Sequence, residues 1–526
     1  MNRARSGACR NCRIRKRRCL PCPSTDDGCC QLCAQQSTSC SLTRSNPIAA
    51  GPNHPIIPAD NPLSSCLPQP RDINTLATSS STRQEWRLPQ RLLLRELVEL
   101  YFCYIHDGPH TLFHEPTFLS GLELGRIPDF VLFAVISLST RFSTNDYFHG
   151  DARSYALVYA AAAIELLQKE MVRPSLESIQ ACILISQHLG GEGDVEAKHI
   201  CTGLARLHCQ CLRIWDISSM PLVEQEVAKR TYLSVLITGN WSTADMSIAP
   251  VASEYPAQHL PLLDEEDFLV LRKRPQRHGL WAQMAQTIDI FREILEVIIL
   301  LSSGELLAAQ IKKVSQLAQR LDQWENQLPE RLKYRPDNLE YFQQNGFEKT
   351  FLAMHIGYHH YRQLLYFPFL DPRNDNHLAS ECKKHAMMVS EIASRGGKLV
   401  YYIIGHILVV SSSIHLHTLL LGGGDVDRAR QYLLSNFNIL IKLKSYWPMI
   451  DAAVAKLRSF QNHCRMSSLD SFVLDDWMWK FLIAQSAVLG EQRVSRAGPQ
   501  RSPLVNHGQM DNAVLVETAL TWLLDE

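Results

Sequence analysis

Residues 9 to 19 read Cys9-Arg10-Asn11-Cys12-Arg13-Ile14-Arg15-Lys16-Arg17-Arg18-Cys19, and residues 30 to 40 read Cys30-Gln31-Leu32-Cys33-Ala34-Gln35-Gln36-Ser37-Thr38-Ser39-Cys40. Both are Cys-x2-Cys-x6-Cys units, and ten residues separate them. Zn(II) takes four thiolates in a tetrahedron, so two ions need eight ligand positions. Six cysteines fill these when two thiolates each bridge both metals. The expected ligands are Cys9, Cys12, Cys19, Cys30, Cys33 and Cys40, with Cys9 and Cys30 as the bridges by symmetry. Cys22 and Cys29 fall outside the register and read as spare thiols, because only Cys30 keeps both spacings.

The two x6 intervals are not equivalent. The first is Arg13-Ile14-Arg15-Lys16-Arg17-Arg18, whereas the second, Ala34 to Ser39, carries no charge. A basic helix is therefore expected only in the first. Arg can donate two hydrogen bonds to guanine O6 and N7, and Lys also donates there, so a G/C-rich duplex is the expected partner. Arg10, Arg13, Arg15, Lys16, Arg17 and Arg18 are the candidate DNA contacts, divided between base edges and phosphates.

Composition fits this division of labour. The whole chain of 526 residues balances 53 basic against 53 acidic side chains, but residues 1 to 44 carry nine basic residues against only Asp26 and Asp27. That surplus suits an arm that meets phosphate. No apolar h-region follows the basic N-terminus, so a reducing compartment is expected and a dense Cys cluster reads as metal ligands before disulfides. Eight of the sixteen cysteines lie between Cys9 and Cys40; the others are scattered and expected to pack as small hydrophobes.

Residues 45 to 85 are rich in Pro and Ser with few large apolar groups, the composition of a disordered linker, and they show no sustained heptads. From 86 to 490 apolar residues recur at helical spacing in Leu93 to Ile105, Tyr155 to Leu167, Ile288 to Leu301 and Phe351 to Leu365. Gly108-Pro109, Arg173-Pro174, Gly190-Gly191, Leu328-Pro329 and Gly422-Gly423-Gly424 are the expected breaks. The fold class is thus mostly α: a small N-terminal binuclear zinc cluster, a disordered linker and a large all-α helical domain. Leu399 to Leu421 lacks Asp, Glu, Lys and Arg and is long enough to span a bilayer. Its His and Ser residues and amphipathic flanks favour a buried helix, so no membrane partner is expected.

Residues 491 to 526 read as a polar linker and an acidic amphipathic C-terminal segment. Leu515, Ala519, Trp522 and Leu523 share one helical stripe there. Two readings stand open, an activation element that lays this face into a coactivator groove and a last helix that folds back on the core.

The stretch Ala8 to Cys19 resembles the fungal Zn(2)-C6 binuclear zinc-cluster transcription factors. By that resemblance Arg15 and Lys16 stand where the family reads a CGG triplet, and Pro21 or Pro23 shapes the turn between the repeats. The ten-residue loop with its two extra cysteines departs from the commoner spacing. Three later stretches resemble the fungal-specific, or middle homology, regulatory domain. They are Leu97 to Phe102 leading into Leu112-Phe113-His114-Glu115-Pro116-Thr117-Phe118-Leu119, Ser178-Ile179-Gln180-Ala181 through Gly203-Leu204-Ala205-Arg206, and Glu226 to Tyr232. Ile248-Ala249-Pro250 and Phe367-Pro368-Phe369 depart from that domain's pattern.

The resemblance implies a nuclear regulator of RNA polymerase II transcription that holds two Zn(II) and binds double-stranded DNA and transcriptional coactivators, with any homodimer formed through the helical domain. It also implies control of a metabolic or specialised (secondary metabolite) biosynthetic gene cluster. An enzyme is not expected. His359-His360, His415/His417 and Cys209/Cys211 sit in apolar helical patterns, and no Gly-rich phosphate loop, nucleophile elbow or His-Glu-x-x-His helix accompanies them.

Overall fold

In the computed structural model the chain divides into two units, Met1–Gln84 and Glu85–Glu526. The structure describes residues 86–484, apart from 109, 218, 247, 249, 251, 273–278, 302–307, 371–375, 423 and 467–475, together with 514, 516–521 and 523. All of these belong to the second unit.

Its centre is the uncharged stretch. Helix Tyr402–Leu421 is long and apolar enough to cross a membrane, yet 94% of its most apolar window is buried among the protein's own helices. Its polar residues are what a core helix needs. Ser411 donates to Gln363 Oε1 at 3.0 Å, His415 Nε2 meets Ser390 Oγ at 2.9 Å, and Asn436 Nδ2 donates to Ser412 Oγ at 3.1 Å. Each bond ties the central helix to a neighbour at a point where an unpaired polar atom would be costly.

The other helices follow in chain order. The first group is α1 Arg91–Tyr104, α2 Glu115–Glu123, α3 Asp129–Ser139, α4 Ala152–Gln168, α5 Leu176–Glu192, α6 Val195–Leu212, α7 Leu222–Asp245 and α8 Glu265–Leu269. The second is α9 Leu280–Leu301, α10 Ala308–Gln327, α11 Pro336–Gln344, α12 Glu348–Tyr366, α13 His377–Arg395, the central helix as α14, α15 Val426–Lys444, α16 Met449–Met466 and α17 Asp476–Ile483. Sequence neighbours pack in pairs, α3 on α4, α5 on α6 and α12 on α13, while α14 is covered by α13, α15 and α16. Short connections make such pairing the natural outcome. Among the described residues the β structure is limited to the isolated bridge between His106 and His110.

Helix starts follow capping chemistry. Asp194 accepts from Ala197 N at 3.0 Å, Asp264 from Asp267 N at 2.8 Å, and Ser175 and Ser178 form a reciprocal capping box at the head of α5. Arg173-Pro174, Leu328-Pro329 and Gly422 fall at helix ends as expected, with Gly422 at φ 84°. Gly190-Gly191 does not. Both lie inside α5, which ends at Gly193 with φ 88°. Packing explains the difference: a Cβ at Gly190 would sit 2.6 Å from the Tyr402 hydroxyl, and one at Gly191 2.3 Å from the Trp447 ring. These glycines let α14 and the Trp447 ring approach the helix, which outweighs their poor helix propensity.

Helical residues between 514 and 523 also pack on the unit. Val516, Leu520 and Leu523 are fully buried and Ala519 nearly so. Gln461 Nε2 of α16 donates to Glu517 at 3.0 Å, and Arg458 of α16 donates to Thr521 Oγ1 at 3.3 Å. The packed face includes Ala519 and Leu523 of the stripe expected from the sequence, together with Val516 and Leu520; Leu515 and Trp522 lie outside the described residues. Of the two sequence readings, this burial favours a helix folded back on the core.

Candidate functional sites

The six expected zinc ligands, Cys9, Cys12, Cys19, Cys30, Cys33 and Cys40, and the expected DNA contacts, Arg10, Arg13, Arg15, Lys16, Arg17 and Arg18, lie outside the described residues. The donor set fits the metal on its chemistry. Six thiols at a doubled spacing, with no carboxylate or imidazole among them, are the soft ligands that closed structural zinc sites use.

In the helical unit, the three stretches singled out in the sequence meet in space. His114 stands at the N-cap position of α2: its Nδ1 meets Thr117 Oγ1 at 2.7 Å and its Nε2 meets the Leu269 carbonyl at 3.0 Å. The same ring packs edge-on against Phe268, with 5.1 Å between centroids. Arg230 also lies over the Phe268 ring, its guanidinium carbon 4.0 Å from the ring centre. Arg230 is ion-paired with Glu226 one turn back on α7 and donates to the Leu263 carbonyl at 2.8 Å, and Leu263 N returns a bond to Glu226 at 3.0 Å.

The second stretch joins through Gln180 of α5, which donates to the Leu112 carbonyl at 2.6 Å. Arg230, Glu226 and Gln180 are all buried. A cavity of about 30 Å3, room for little more than water, lies between His114, Arg230, Phe268 and Trp281. This cluster fastens α8 to α2 and the loop before α8 to α7, while the buried Nε of Arg230 is left without a hydrogen-bond partner.

Glu265, at the head of α8, accepts from Leu280 N at 2.9 Å and Trp281 N at 3.0 Å, so it caps α9 across space. Burial raises its pKa, an effect the two backbone donors oppose. Lys349 plays the converse role at a helix C-terminus. It donates to the carbonyls of Phe102 and Cys103 at 2.8 and 2.9 Å and also to that of His106, closing the end of α1 where the helix dipole favours a cation. Burial lowers the pKa of its ammonium, with Asp107 opposing.

Sequence reasoning missed Lys349 and Glu265, because a cap supplied from elsewhere in the chain leaves no local pattern. It also missed the buried pair of Lys198 and Asp245, 2.7 Å apart.

The residues weighed for an enzyme take packing roles. His359 Nδ1 meets His385 Nδ1 at 2.8 Å between α12 and α13, and burial drives both rings to the neutral form. His360 stacks on Trp241 with centroids 5.6 Å apart. His415 and His417 are buried in α14. Cys209 is buried while Cys211 is exposed, and burial raises the thiol pKa of Cys209 and moves that of Cys201 up to about 11, away from nucleophilic use. Among the described residues no group of three or more His, Cys, Asp or Glu is placed to hold a metal ion.

Comparison with known proteins relates the chain to gene regulators. No family model matches the chain. It is 26% identical over 363 residues to an uncharacterised transcriptional regulatory protein of Schizosaccharomyces pombe, covering 57% of this chain and 35% of that protein. It is 21% identical over 465 residues to a Zn(2)-C6 fungal-type transcription factor of Fusarium oxysporum f. sp. lycopersici, covering 78% and 50%. A second uncharacterised transcriptional regulatory protein of Schizosaccharomyces pombe is 32% identical over 105 residues, covering 20% and 12%. The chain spans half or less of the length of these relatives. It is a relative of fungal transcriptional regulators, the Zn(2)-C6 type among them.

Proposed function

We propose that the chain is a nuclear, sequence-specific DNA-binding regulator of RNA polymerase II transcription, in which residues 1–44 read a CGG-type site and the helical unit governs activity and assembly. One observation carries this: a doubled Cys-x2-Cys-x6-Cys register whose first interval alone is basic, in a chain related to a Zn(2)-C6 factor. Two zinc ions would be held by Cys9, Cys12, Cys19, Cys30, Cys33 and Cys40, supplying the thiolate links that fold a module too small to have a core of its own. Arg15 and Lys16 donate to guanine edges, while Arg10, Arg13, Arg17 and Arg18 hold phosphates and fix the register. A second copy of the chain is the partner proposed for the helical domain, and coactivators are the partners proposed for the C-terminal segment. Target genes of metabolic or specialised biosynthetic character rest on the family resemblance, and genome-wide mapping of binding sites tests them.

The function itself is tested by mobility shift of the zinc-loaded chain on a CGG-containing duplex and a scrambled one. Arg15→Ala or Lys16→Ala removes about 1–3 kcal/mol of discrimination between them. Arg17→Ala or Arg18→Ala weakens both duplexes alike and flattens the salt dependence. If all four variants lose affinity with unchanged preference, the helix is an electrostatic anchor and the reading of sequence fails.

A further inference from the structure

Helices α6, α7 and α9 part around a cavity of about 160 Å3. The space is a cleft that opens partly to solvent, with Gly203 exposed in its wall. Its walls are Val235, Leu236 and Ile288 on the apolar side and His199, Asn240 and Thr243 on the polar side.

Two further wall residues are Gly203, within α6, and Gly239, within α7. Glycine is a poor helix residue, and elsewhere in this unit it is explained by contact. A Cβ at Gly405 would lie 2.2 Å from Ile450 Cδ1, much as Gly190 and Gly191 are pressed by Tyr402 and Trp447. At Gly203 and Gly239 a Cβ would meet nothing within 4 Å. No neighbour requires glycine there. What the missing side chains leave is the room itself.

The charges around the cavity are matched. Arg206 pairs with Glu254 at 2.6 Å, and Arg292 pairs with Glu296 and faces Asp289 at 3.7 Å. A charged ligand would have to break one of these pairs. Hydrogen-bonding capacity remains on the polar wall: His199 uses Nδ1 on Ser242 at 2.9 Å, Asn240 uses Nδ2 on the Ile288 carbonyl at 3.3 Å, and the Thr243 hydroxyl gives its proton to backbone carbonyls of α7. Imidazole Nε2, an amide oxygen and a hydroxyl oxygen are left to meet a ligand.

We propose that this cavity is a binding site for a small neutral organic molecule of about one ring, carrying one or two hydrogen-bonding groups. The volume is of the order that admits benzene to an engineered apolar cavity. The polar wall makes a hydroxylated ring the better fit. Binding here would join three helices from different parts of the chain and so stabilise the unit, whatever the N-terminal module contacts.

Phenol is the probe. Calorimetric titration into the full chain is expected to show saturable binding at one site, with a raised thermal midpoint. Gly239→Leu, which fills the space, is expected to keep the helical circular dichroism of the parent and to lose at least about tenfold in phenol affinity. If that variant does not fold, Gly203→Met is read in its place. Absence of saturable binding, or equal affinity in parent and filled variant, overturns the proposal.

Discussion

Lys198 of α6 donates to Asp245 at the end of α7 across 2.7 Å, with both side chains removed from solvent, and Tyr402 of α14 stands beside them with its ring centre 5.7 Å from the ammonium. Tyr402 in turn donates to Gln187 of α5 at 2.8 Å, and Gln187 donates to Thr238 of α7 at 3.2 Å. Four helices are thereby tied at one buried point. Burial works against the Lys198 ammonium, but the Asp245 carboxylate outweighs it and keeps the pKa above the ordinary value.

Breaking one side of this pair leaves a buried charge without its counter-ion. Lys198→Met is therefore expected to destabilise the helical unit by about 3–5 kcal/mol. The double variant Lys198→Met/Asp245→Leu should recover much of that loss, because two apolar groups remove the stranded charge. Urea titration of the single and double variants measures both. Equal loss in the two would show that the pair contributes by shape alone.

Acid should unfold the unit through its histidines. Burial lowers the pKa of His188 and His355 to about 4 and of His110, His360, His385 and His415 to about 3. In the unfolded chain these rings take protons near the ordinary value of about 6.5. The unfolded state therefore binds more protons below that value, and the stability present above it is lost as pH falls toward the folded pKa values. Each ring contributes about 1.4 kcal/mol per pH unit in that window. A cooperative loss of far-ultraviolet circular dichroism between about pH 6 and 4 is expected. Retention of the fold at about pH 4 would contradict it.

The C-terminal helical residues should prove structural. Leu520→Ala empties a fully buried site between the last residues and α16, so a loss of about 2–5 kcal/mol is expected from thermal or urea unfolding of the whole chain. DNA binding by the folded variant should be unchanged. An unaltered stability, with transcriptional activation alone reduced, would return the segment to the role of a coactivator ligand.

Metal removal should act on the N-terminal module alone. Two zinc ions per chain are expected by elemental analysis. Ser at Cys9, Cys12, Cys19, Cys30, Cys33 or Cys40 should abolish DNA binding while leaving the helical circular dichroism intact. Cys22→Ser and Cys29→Ser should be mild. One zinc per chain, or equal damage from Cys22→Ser, would rule out the bridged arrangement.

The sequence by itself determined whatever depends on local spacing. The helical periodicity of Leu93 to Ile105 or Phe351 to Leu365 marks a helix because side chains three and four apart share a face, and the Pro and capping signals mark its ends for equally local reasons. The doubled Cys register is likewise legible as local spacing, and it is the basis of the proposed two-zinc site. Only the tertiary structure decided what depends on residues far apart in the chain. Gly190-Gly191 reads as a break until Tyr402 and Trp447 are seen pressing on it. Lys349 closes the end of a helix almost 250 residues away, with a sequence separation of 247 to the Phe102 carbonyl, and nothing in its own neighbourhood announces this. Lys198 and Asp245 lie 47 residues apart on separate helices, and only folding takes both out of water and makes each the other's necessary counter-charge.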